Sequence, residues 1–453
     1  MNILNKKEPI LLAFGDLGFL FLSLWLMILL RYGSIPEVGT ISTHFEAFRL
    51  IFALSILVFF IAGLYEKTAI VLRHDLPNTI FNSVLANTVL SVLFFYLIPQ
   101  FGEISITPKI NLFIYALISF GTLIFWRMFL FPLFGLRKKE NALIVGSGVE
   151  MKELAEEVNK NTRYNLSFVS LLDLDTISPA DFQVELHKYI SNNGVTLVAI
   201  DVDNEKSSPI LPYLYDLIFS TKVRIIDMHT MYEDVFDRVP LSLLRYGWFL
   251  QHISVTPRVL YDILKRTMDI VISFILALVS LLVYPFVYIA IKLDDGGPLF
   301  IKQNRVGQNN QIIRTIKFRT MSMDDAGEKE NQNKNSLTRV GPFLRKTRID
   351  ELPQFWNVLS GDLSLVGPRP ELPVHVAVYE AEIPYYGVRH LIKPGLSGWA
   401  QLYQKDPPKS LANRDLTRIK LSYDLYYIKN RSLLLDLKIA LQTIKALMSR
   451  SGV

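Results

Sequence analysis

The sequence predicts a membrane protein in three parts: an α-helical transmembrane bundle (1–134), an α/β Rossmann-like domain (135–256) and a mixed α/β domain (257–453) with a re-entrant membrane helix at 266–292. Three observations support this prediction. Four long apolar stretches fill the first part, strands and helices alternate in the second, and the third begins with an apolar run that a proline interrupts. Half of the 453 residues are apolar, 20% are charged and mean hydropathy is +0.28, which excludes a disordered chain.

The apolar stretches of the first part are each close to the roughly 20 residues that cross a bilayer as a helix. They cover about 10–31, 47–65, 77–101 and 110–134. Cations precede the first stretch and follow the second and fourth, whereas residues 32–46 contain none. The positive-inside rule therefore places both ends of the bundle in the cytoplasm. The first stretch is too long for a signal peptide and lacks a small-residue cleavage site.

The second part begins with a predicted strand and glycine-rich turn at 141–148, followed by a helix. Further strands are predicted at 166–172, 195–201 and 222–227. This alternation indicates a parallel sheet of degenerate Rossmann-like, CoA-binding-like type. The dinucleotide fingerprint is incomplete because Met151 stands where its third glycine would be. A structural or regulatory role is therefore weighed against nucleotide binding.

A fifth apolar run, 270–291, opens the last part and contains Pro285. This proline removes a backbone donor and breaks the helix, and basic residues flank the run on both sides. The charge rule puts both flanks in the cytoplasm, which favours a helix that bends at Tyr284-Pro285 and returns over one that spans. We expect Ser280 to satisfy a carbonyl freed by the break.

The net charge of +6 is concentrated in the last part, which carries +10, whereas the first carries +1 and the second −5. A basic region next to membrane helices indicates anionic lipid surfaces or phosphorylated substrates. Nucleic acid is not an expected partner, because no helix-turn-helix or aromatic RNA-binding signature accompanies the charge. The absence of cysteine excludes disulfides, zinc ribbons, iron–sulfur clusters and a thiol nucleophile, and the seven histidines lack metal-ligand spacing.

An acidic pair, Asp350-Glu351, directly follows the cations Arg345, Lys346 and Arg348. Adjacent carboxylates among cations are suited to act as nucleophile and metal ligand. The alternative for the pair is a helix N-terminus, since Asp is a good N-cap and Glu is favoured in the first turn. For Arg345, the alternative to a phosphate contact is a salt bridge within a helix.

Arg369 lies between Pro368 and Pro370, which fix the backbone on both sides. That setting suits a guanidinium that presents its fork to a phosphate, although a solvated arginine in a surface turn has the same pattern.

Lys317 and Arg319 alternate around Phe318, as in a strand with both cations on one face and the ring in the core. The polar run 324–335 indicates a surface loop, either disordered or a lid. At the C-terminus, apolar residues at helical spacing from Leu437 to Leu447 predict a helix that is interfacial or part of the core.

Short motifs follow one another in a fixed order over residues 258–453. They include Gln303-Asn304-Arg305-Val306-Gly307, Lys317-Phe318-Arg319-Thr320-Met321, Asp350-Glu351-Leu352-Pro353-Gln354, Val366-Gly367-Pro368-Arg369-Pro370 and Pro394-Gly395-Leu396-Ser397-Gly398-Trp399-Ala400-Gln401. The series resembles the bacterial polyprenyl-phosphate phosphoglycosyl transferases, the bacterial sugar transferase family. With its bundle and middle domain, the whole chain resembles the long form, which starts exopolysaccharide, capsule or O-antigen chains.

The resemblance implies a monotopic catalytic domain with a re-entrant helix, in a multi-pass protein of the bacterial inner membrane whose active site faces the cytoplasm. The implied reaction moves a sugar-1-phosphate from a UDP-sugar to undecaprenyl phosphate. Asp350 would attack the β-phosphate and expel a nucleoside monophosphate, and Glu351 would bind Mg²⁺. The implied phosphate or nucleotide contacts are Arg345, Arg369, Lys317, Arg319, Pro368 and Pro370. A homodimer is expected by analogy.

Two positions depart from the family pattern: Tyr284 stands where a serine is frequent, and Arg348 where a small hydroxyl residue is common.

Two other functions are weighed. A membrane-anchored nucleotide-sugar dehydratase or epimerase would use a Tyr-x-x-x-Lys pair, a spacing that Tyr261 and Lys265 match, but it needs an intact glycine-rich loop. A non-enzymatic scaffold for polysaccharide assembly leaves the motifs of 257–453 unexplained. Nothing in the sequence identifies the sugar.

Overall fold

The structure is a computed structural model that describes residues 8–65, 76–97, 108–131, 139–161, 164, 166–220, 223–253, 258–321, 337–404 and 413–448. The run 324–335, predicted as a surface loop or lid, lies outside these ranges. So do most of the cations that flank the apolar stretches of the first part, namely Lys6, Lys7, Lys67, Arg73, Arg137 and Lys138. The chain divides into two compact units, Met1–Val235 and Phe236–Val453.

Within the described residues, the first unit has four helices long and apolar enough to cross a membrane. They are α1 (Glu8–Tyr32), α2 (Val38–Ile61), α3 (Leu76–Leu97) and α4 (Pro108–Phe125). Helix α2 begins well before the apolar stretch predicted from residue 47, and polar side chains in its first turns bond to backbone carbonyls one turn earlier. Thr43 Oγ1 donates to Gly39 O at 3.0 Å, and His44 Nδ1 lies 2.8 Å from Thr40 O.

A buried ion pair links the first and fourth helices. Arg127 lies in a π-helical turn (Trp126–Leu130) that follows α4, and its Nε donates to Asp16 Oδ1 at 3.0 Å. Tyr65 donates to the other oxygen of Asp16 at 2.8 Å, and Arg127 also donates to Leu64 O. Charges inside a membrane bundle are costly unless they are paired and hydrogen-bonded, as these are.

A parallel four-stranded sheet follows the bundle, in the order β2-β1-β3-β4. Its strands are β1 (Glu140–Gly146), β2 (Leu166–Asp173), β3 (Val195–Ile200) and β4 (Arg224–Asp227). The helices between and after them are α5 (Val149–Lys160), α6 (Pro179–Asn193), α7 (Leu211–Ser220) and α8 (Met228–Phe236). The predicted α/β region with a parallel sheet is confirmed. Met151 is fully buried, and its sulfur lies 3.3 Å from where a Cβ on Gly146 would be, so it fills the space above the turn.

In the described part of the second unit lie the remaining helices and two small sheets. Its helices are α9 (Tyr246–His252), α10 (Val259–Leu281), α11 (Tyr284–Asp294), α12 (Gly341–Lys346), α13 (Gln354–Ser360), α14 (Pro373–Glu382), α15 (Trp399–Tyr403), α16 (Arg414–Asn430) and α17 (Leu433–Met448). Strands β5 (Phe300–Val306) and β6 (Ile312–Phe318) pair antiparallel, and β7 (Ser364–Val366) and β8 (Gly395–Ser397) pair parallel.

The segment before residue 257, which the sequence analysis placed in the middle domain, packs into the core of the second unit. Val239 and Trp248 lie in one buried cluster with Trp399. Ser422 Oγ donates to Val239 O at 2.6 Å, fixing the segment to α16. No change of composition marks this division, so the sequence placed the boundary at 256/257 instead of 235/236.

Helices α10 and α11 form a pair bent by 51° at a short break. Pro285 stands in the first turn of α11, where a missing N–H costs nothing. The expectation for Ser280 is wrong in detail: its hydroxyl donates to Ala277 O at 2.7 Å, not to a carbonyl that the proline frees. Tyr284 packs its ring against Phe318, 4.9 Å between centroids, which anchors the start of α11 on β6.

The apolar stripe predicted for the C-terminal helix faces outward. Leu437, Ile444 and Leu447 are exposed, whereas Asp436 and Ile439 are fully buried. Most of the predicted stripe is therefore exposed, while the opposite face of α17 contributes Ile439 to the buried core.

Gly395 is required by the close approach of β8 to β7. A Cβ there would lie 2.1 Å from Gly367 N and 2.6 Å from Val366 C, both rigid backbone atoms. We expect Gly395→Ala to destabilise the second unit by about 3 kcal/mol, as overpacking does. Thermal melting of the purified protein measures this. The control is Gly247→Ala on α9, where a Cβ meets nothing within 4 Å; equal melting of the two variants would contradict the prediction.

Candidate active site

The acidic pair lies in a single 3₁₀ turn, Ile349–Glu351, between α12 and α13. Arg348 precedes the turn with φ +57°, in the left-handed region that non-glycine residues seldom adopt. Such strain often marks a functional turn. Asp350 does not cap the helix that follows, because the N-cap of α13 is Pro353. The capping alternative for Asp350 is therefore wrong.

Three cations converge on one carboxylate oxygen of Glu351. Arg369 Nη2 donates to Glu351 Oε1 at 2.5 Å, Lys317 Nζ lies 3.4 Å from the same atom and Arg348 Nη1 lies 3.7 Å from it. Burial raises the pKa of Glu351, but Arg369 and Lys317 outweigh that effect and hold the pKa well below its usual range. Glu351 is therefore ionised at any physiological pH.

Asp350 is buried, with 8% of its surface exposed, and its Oδ1 has no hydrogen-bond partner among the described residues. Burial, followed by the neighbouring charge of Glu351, raises the pKa of Asp350 to about 6. Lys317, Arg348 and Arg345 oppose this rise. The adjacent carboxylates thus have opposite pKa shifts, which is typical of sites where two acids have different tasks.

Lys317 and Arg369 are brought to Glu351 from distant parts of the chain, on β6 and on the segment after β7. Burial lowers the pKa of Lys317, while Glu351 raises it. Arg345 Nε donates to Thr320 Oγ1 at 2.9 Å, and its charge acts on Asp350.

Arg319 is placed differently from Lys317, although the sequence analysis grouped them. Its guanidinium pairs with Asp295 at 2.8 Å and donates from Nε to Met321 O. Phe318 is buried, as predicted. The structure therefore brings Lys317 to the acidic pair and gives Arg319 a contact at the end of α11.

The prolines fix different parts of this unit. Pro368 and Pro370 flank Arg369, and Pro285 lies in the first turn of α11. The sequence analysis missed Arg348 as a site residue and treated it only as a departure from the family pattern. Its proximity to the acidic pair was the available signal. Arg389, which donates to Arg369 O at 2.9 Å, was also missed, and no motif marked it.

The carboxylates of Asp350 and Glu351 are oxygen donors of the kind that bind Mg²⁺ together with phosphates. Mg²⁺ in phosphate sites is bound by one or two carboxylates, while waters and substrate phosphates complete its shell. Glu351 and the unpartnered Oδ1 of Asp350 supply such oxygens. Across the described ranges, no group of three or more His, Asp or Glu side chains is placed to hold a metal by itself.

The Tyr-x-x-x-Lys pair of the dehydratase alternative lies on α10 and is occupied by a structural contact. Tyr261 donates to Asp436 Oδ2 at 2.9 Å, and Lys265 Nζ lies 3.2 Å from the same oxygen. Lys265 also donates to Val366 O. These bonds join α10 to α17 and to the strand before the Arg369 segment.

Comparison with known proteins agrees with the motifs. The sequence model described as "Bacterial sugar transferase" matches residues 260–450. The chain is 44% identical over 203 residues to a UDP-N-acetylgalactosamine-undecaprenyl-phosphate N-acetylgalactosaminephosphotransferase of Aeromonas hydrophila, covering 44% of this chain and 47% of that protein. It is 38% identical over 189 residues to the UDP-glucose:undecaprenyl-phosphate glucose-1-phosphate transferase of Escherichia coli (strain K12), covering 40% and 39%.

A third relative extends the likeness beyond the motifs. The undecaprenyl-phosphate glucose phosphotransferase of Komagataeibacter xylinus is 30% identical over 402 residues, which cover 84% of this chain and 72% of that protein. The first two matches span less than half of those relatives' length, whereas this one covers 84% of the chain and so extends well beyond the residues that carry the motifs. The chain belongs to the bacterial sugar transferase family.

Proposed function

We propose that the protein transfers a sugar-1-phosphate from a UDP-sugar to undecaprenyl phosphate and so starts a surface polysaccharide. The observation that carries the proposal is the turn at Asp350 and Glu351, where one carboxylate is buried with an unpartnered oxygen and its neighbour is held by cations. The names of the relatives supply the substrate class, UDP-sugar and undecaprenyl phosphate.

The proposed chemistry has two displacements at one phosphorus atom. A carboxylate oxygen of Asp350 forms a bond to the β-phosphorus, and the bond from that phosphorus to the bridging oxygen breaks. UMP leaves with that oxygen and the electron pair. An oxygen of undecaprenyl phosphate then attacks the same phosphorus and releases the Asp350 carboxylate, giving a diphosphate-linked sugar. Two steps let one anion leave before the next arrives, which reduces repulsion between phosphates.

The cations assigned to the substrate phosphates are Arg369, Arg345 and Lys317. Arg369 and Lys317 already neutralise Glu351, so a phosphate near Asp350 would meet cations that are in position before it binds. Mg²⁺ held by Glu351, with Asp350 beside it, would offset the negative charge of the diphosphate. Arg319, whose guanidinium pairs with Asp295, remains a proposed nucleotide contact only on the family resemblance.

The proposed membrane placement is a re-entrant α10–α11 pair with the active site on the cytoplasmic face of the inner membrane. Leu282 and Phe286, at the bend, are both more than two-thirds exposed, which suits insertion into hydrocarbon. The outward apolar face of α17 would lie at the same interface. The parallel sheet order β2-β1-β3-β4 supports a Rossmann-like middle domain, and a homodimer is proposed by analogy.

The test is release of UMP by the purified protein in detergent with Mg²⁺, using UDP-N-acetylgalactosamine and UDP-glucose first. We expect one donor to give UMP continuously with undecaprenyl phosphate, and a burst of about one UMP per protein without it. If neither donor gives UMP, a wider panel of nucleotide sugars is tested for release of a nucleoside monophosphate. Binding of NAD to the protein is measured in parallel. No release with any donor, together with NAD binding, would favour the dehydratase or epimerase alternative; no release and no binding would favour the scaffold.

A further inference from the structure

The segment 366–371, which carries Arg369, is bonded at four consecutive carbonyls by three parts of the second unit: β8, the 3₁₀ helix Tyr386–Leu391 and β5. Two of its residues are prolines and have no N–H, so a regular strand ladder cannot fix it. The bonds to its carbonyls are Gly395 N to Pro368 O at 3.0 Å, Arg389 Nη2 to Arg369 O at 2.9 Å, Arg305 Nη1 to Pro370 O at 3.3 Å and Val306 N to Glu371 O at 2.9 Å.

The bond to Arg369 itself comes from a buried guanidinium. Arg389 is 2% exposed, lies in the 3₁₀ helix Tyr386–Leu391 and pairs with Asp424 on α16 at 2.9 Å. Its Nη1 donates to Tyr386 Oη at 2.6 Å. A planar fork with fixed partners on both arms has little freedom to move, so it fixes the carbonyl it binds.

A second buried pair completes the charge balance around this arginine. Lys420, also on α16, pairs with Glu371, and Glu371 Oε1 lies 3.8 Å from Arg389 Nη1. Arg389 and Lys420 thus lie together with two carboxylates, Asp424 and the segment's own Glu371. Such a network is costly to break, because removal of one member leaves a buried charge unpaired.

We propose that Arg389 is a positioning residue for Arg369. It holds the backbone of Arg369 so that the side chain meets Glu351 Oε1 at the acidic pair. Its own contacts in the described structure are with Arg369 O, Tyr386, Asp424 and Glu371, so it acts through Arg369 and not on the substrate. The expected effect of Arg389 on kcat/KM rests on the proposed function of the site.

A double-mutant cycle on UMP release tests the coupling. Lysine at 389 keeps the charge but cannot reach Asp424, Tyr386 and Arg369 O at once. We expect Arg389→Lys to lower kcat/KM about ten- to a hundredfold, the usual cost of misplacing a binding group by about an ångström. In an Arg369→Ala background, the same change should cost less than about threefold. Equal losses in both backgrounds would overturn the proposal, because a purely structural defect acts independently of Arg369.

Hydrogen exchange provides a measurement that does not need turnover. In Arg389→Lys, we expect faster exchange of amides in the 366–372 peptide. The matched control is Arg266→Lys, since Arg266 also donates to backbone carbonyls, Val358 O at 2.7 Å and Leu359 O at 2.9 Å, but not to this segment. Unchanged exchange at 366–372 in Arg389→Lys would overturn the positioning role. If the wild type releases no UMP, the proposed function fails and this measurement still decides whether Arg389 holds the segment.

Discussion

Asp350→Asn is expected to abolish UMP release, lowering the rate at least about a thousandfold, because a neutral amide does not displace a phosphate leaving group. The substitution should not destabilise the fold. Oδ1 of Asp350 has no partner to lose, and burial together with Glu351 raises the pKa of the carboxyl to about 6. An acid whose pKa is raised by folding destabilises the fold at pH values above it, here by about 3 kcal/mol at pH 8. The amide removes that cost.

The variant should therefore melt at the same temperature as the wild type or higher while losing activity. With UDP-sugar labelled in the β-phosphate and no lipid phosphate, the wild type should retain label as an acyl phosphate that hydroxylamine releases, and Asp350→Asn should retain none. Asp415→Asn, at an exposed carboxylate on α16, is the control. Retained labelling in Asp350→Asn would place the nucleophile elsewhere, and a large fall in melting temperature would mean that Asp350 supports the fold.

The sequence was enough to predict site residues that lie together in a motif. It was not enough to predict which distant residues contact them in the fold. Asp350 and Glu351 are neighbours in a motif, so their pairing was visible. The contact of Arg369 with Glu351 joins positions 18 apart, and no periodicity predicts it. The strand pattern around Phe318 predicted the buried ring, yet it could not separate Lys317, which meets Glu351, from Arg319, which pairs with Asp295.

The same limit applies to the fold. Length and hydropathy predicted four helices, and strand–helix alternation predicted the parallel sheet, because each is a local pattern. Asp16 and Arg127 were visible as charges inside apolar stretches, but their bond joins residues 111 apart. The outward stripe on α17 has the period of a core helix, and only its packing through Asp436 and Ile439 reveals which face is buried.

The first half reaction is expected to slow as the pH falls below about 6, because Asp350 attacks as a carboxylate and burial with Glu351 raises its pKa to about 6. Protonation should reduce the burst rate to about a tenth of its plateau at pH 5 and about a hundredth at pH 4. The burst must be measured without undecaprenyl phosphate, whose own phosphate titrates nearby. Ionisation of Glu351 does not contribute to this acid limb of the pH profile, since Arg369 and Lys317 keep the pKa of Glu351 well below this range.

The position of this acid limb should respond to Arg348, whose charge lowers the pKa of Asp350 and lies 3.7 Å from Glu351 Oε1. Replacing it with a neutral side chain, Arg348→Gln, removes a cation that favours the ionised form, so the midpoint should move to higher pH. Lys346→Gln, at an exposed cation on α12, should leave the midpoint in place. The midpoint reports the ionisation of the nucleophile whatever happens to the plateau rate. A wild-type burst that is independent of pH between 4 and 8, or a limb that Arg348→Gln leaves unmoved, would mean that a group other than Asp350 controls the first displacement.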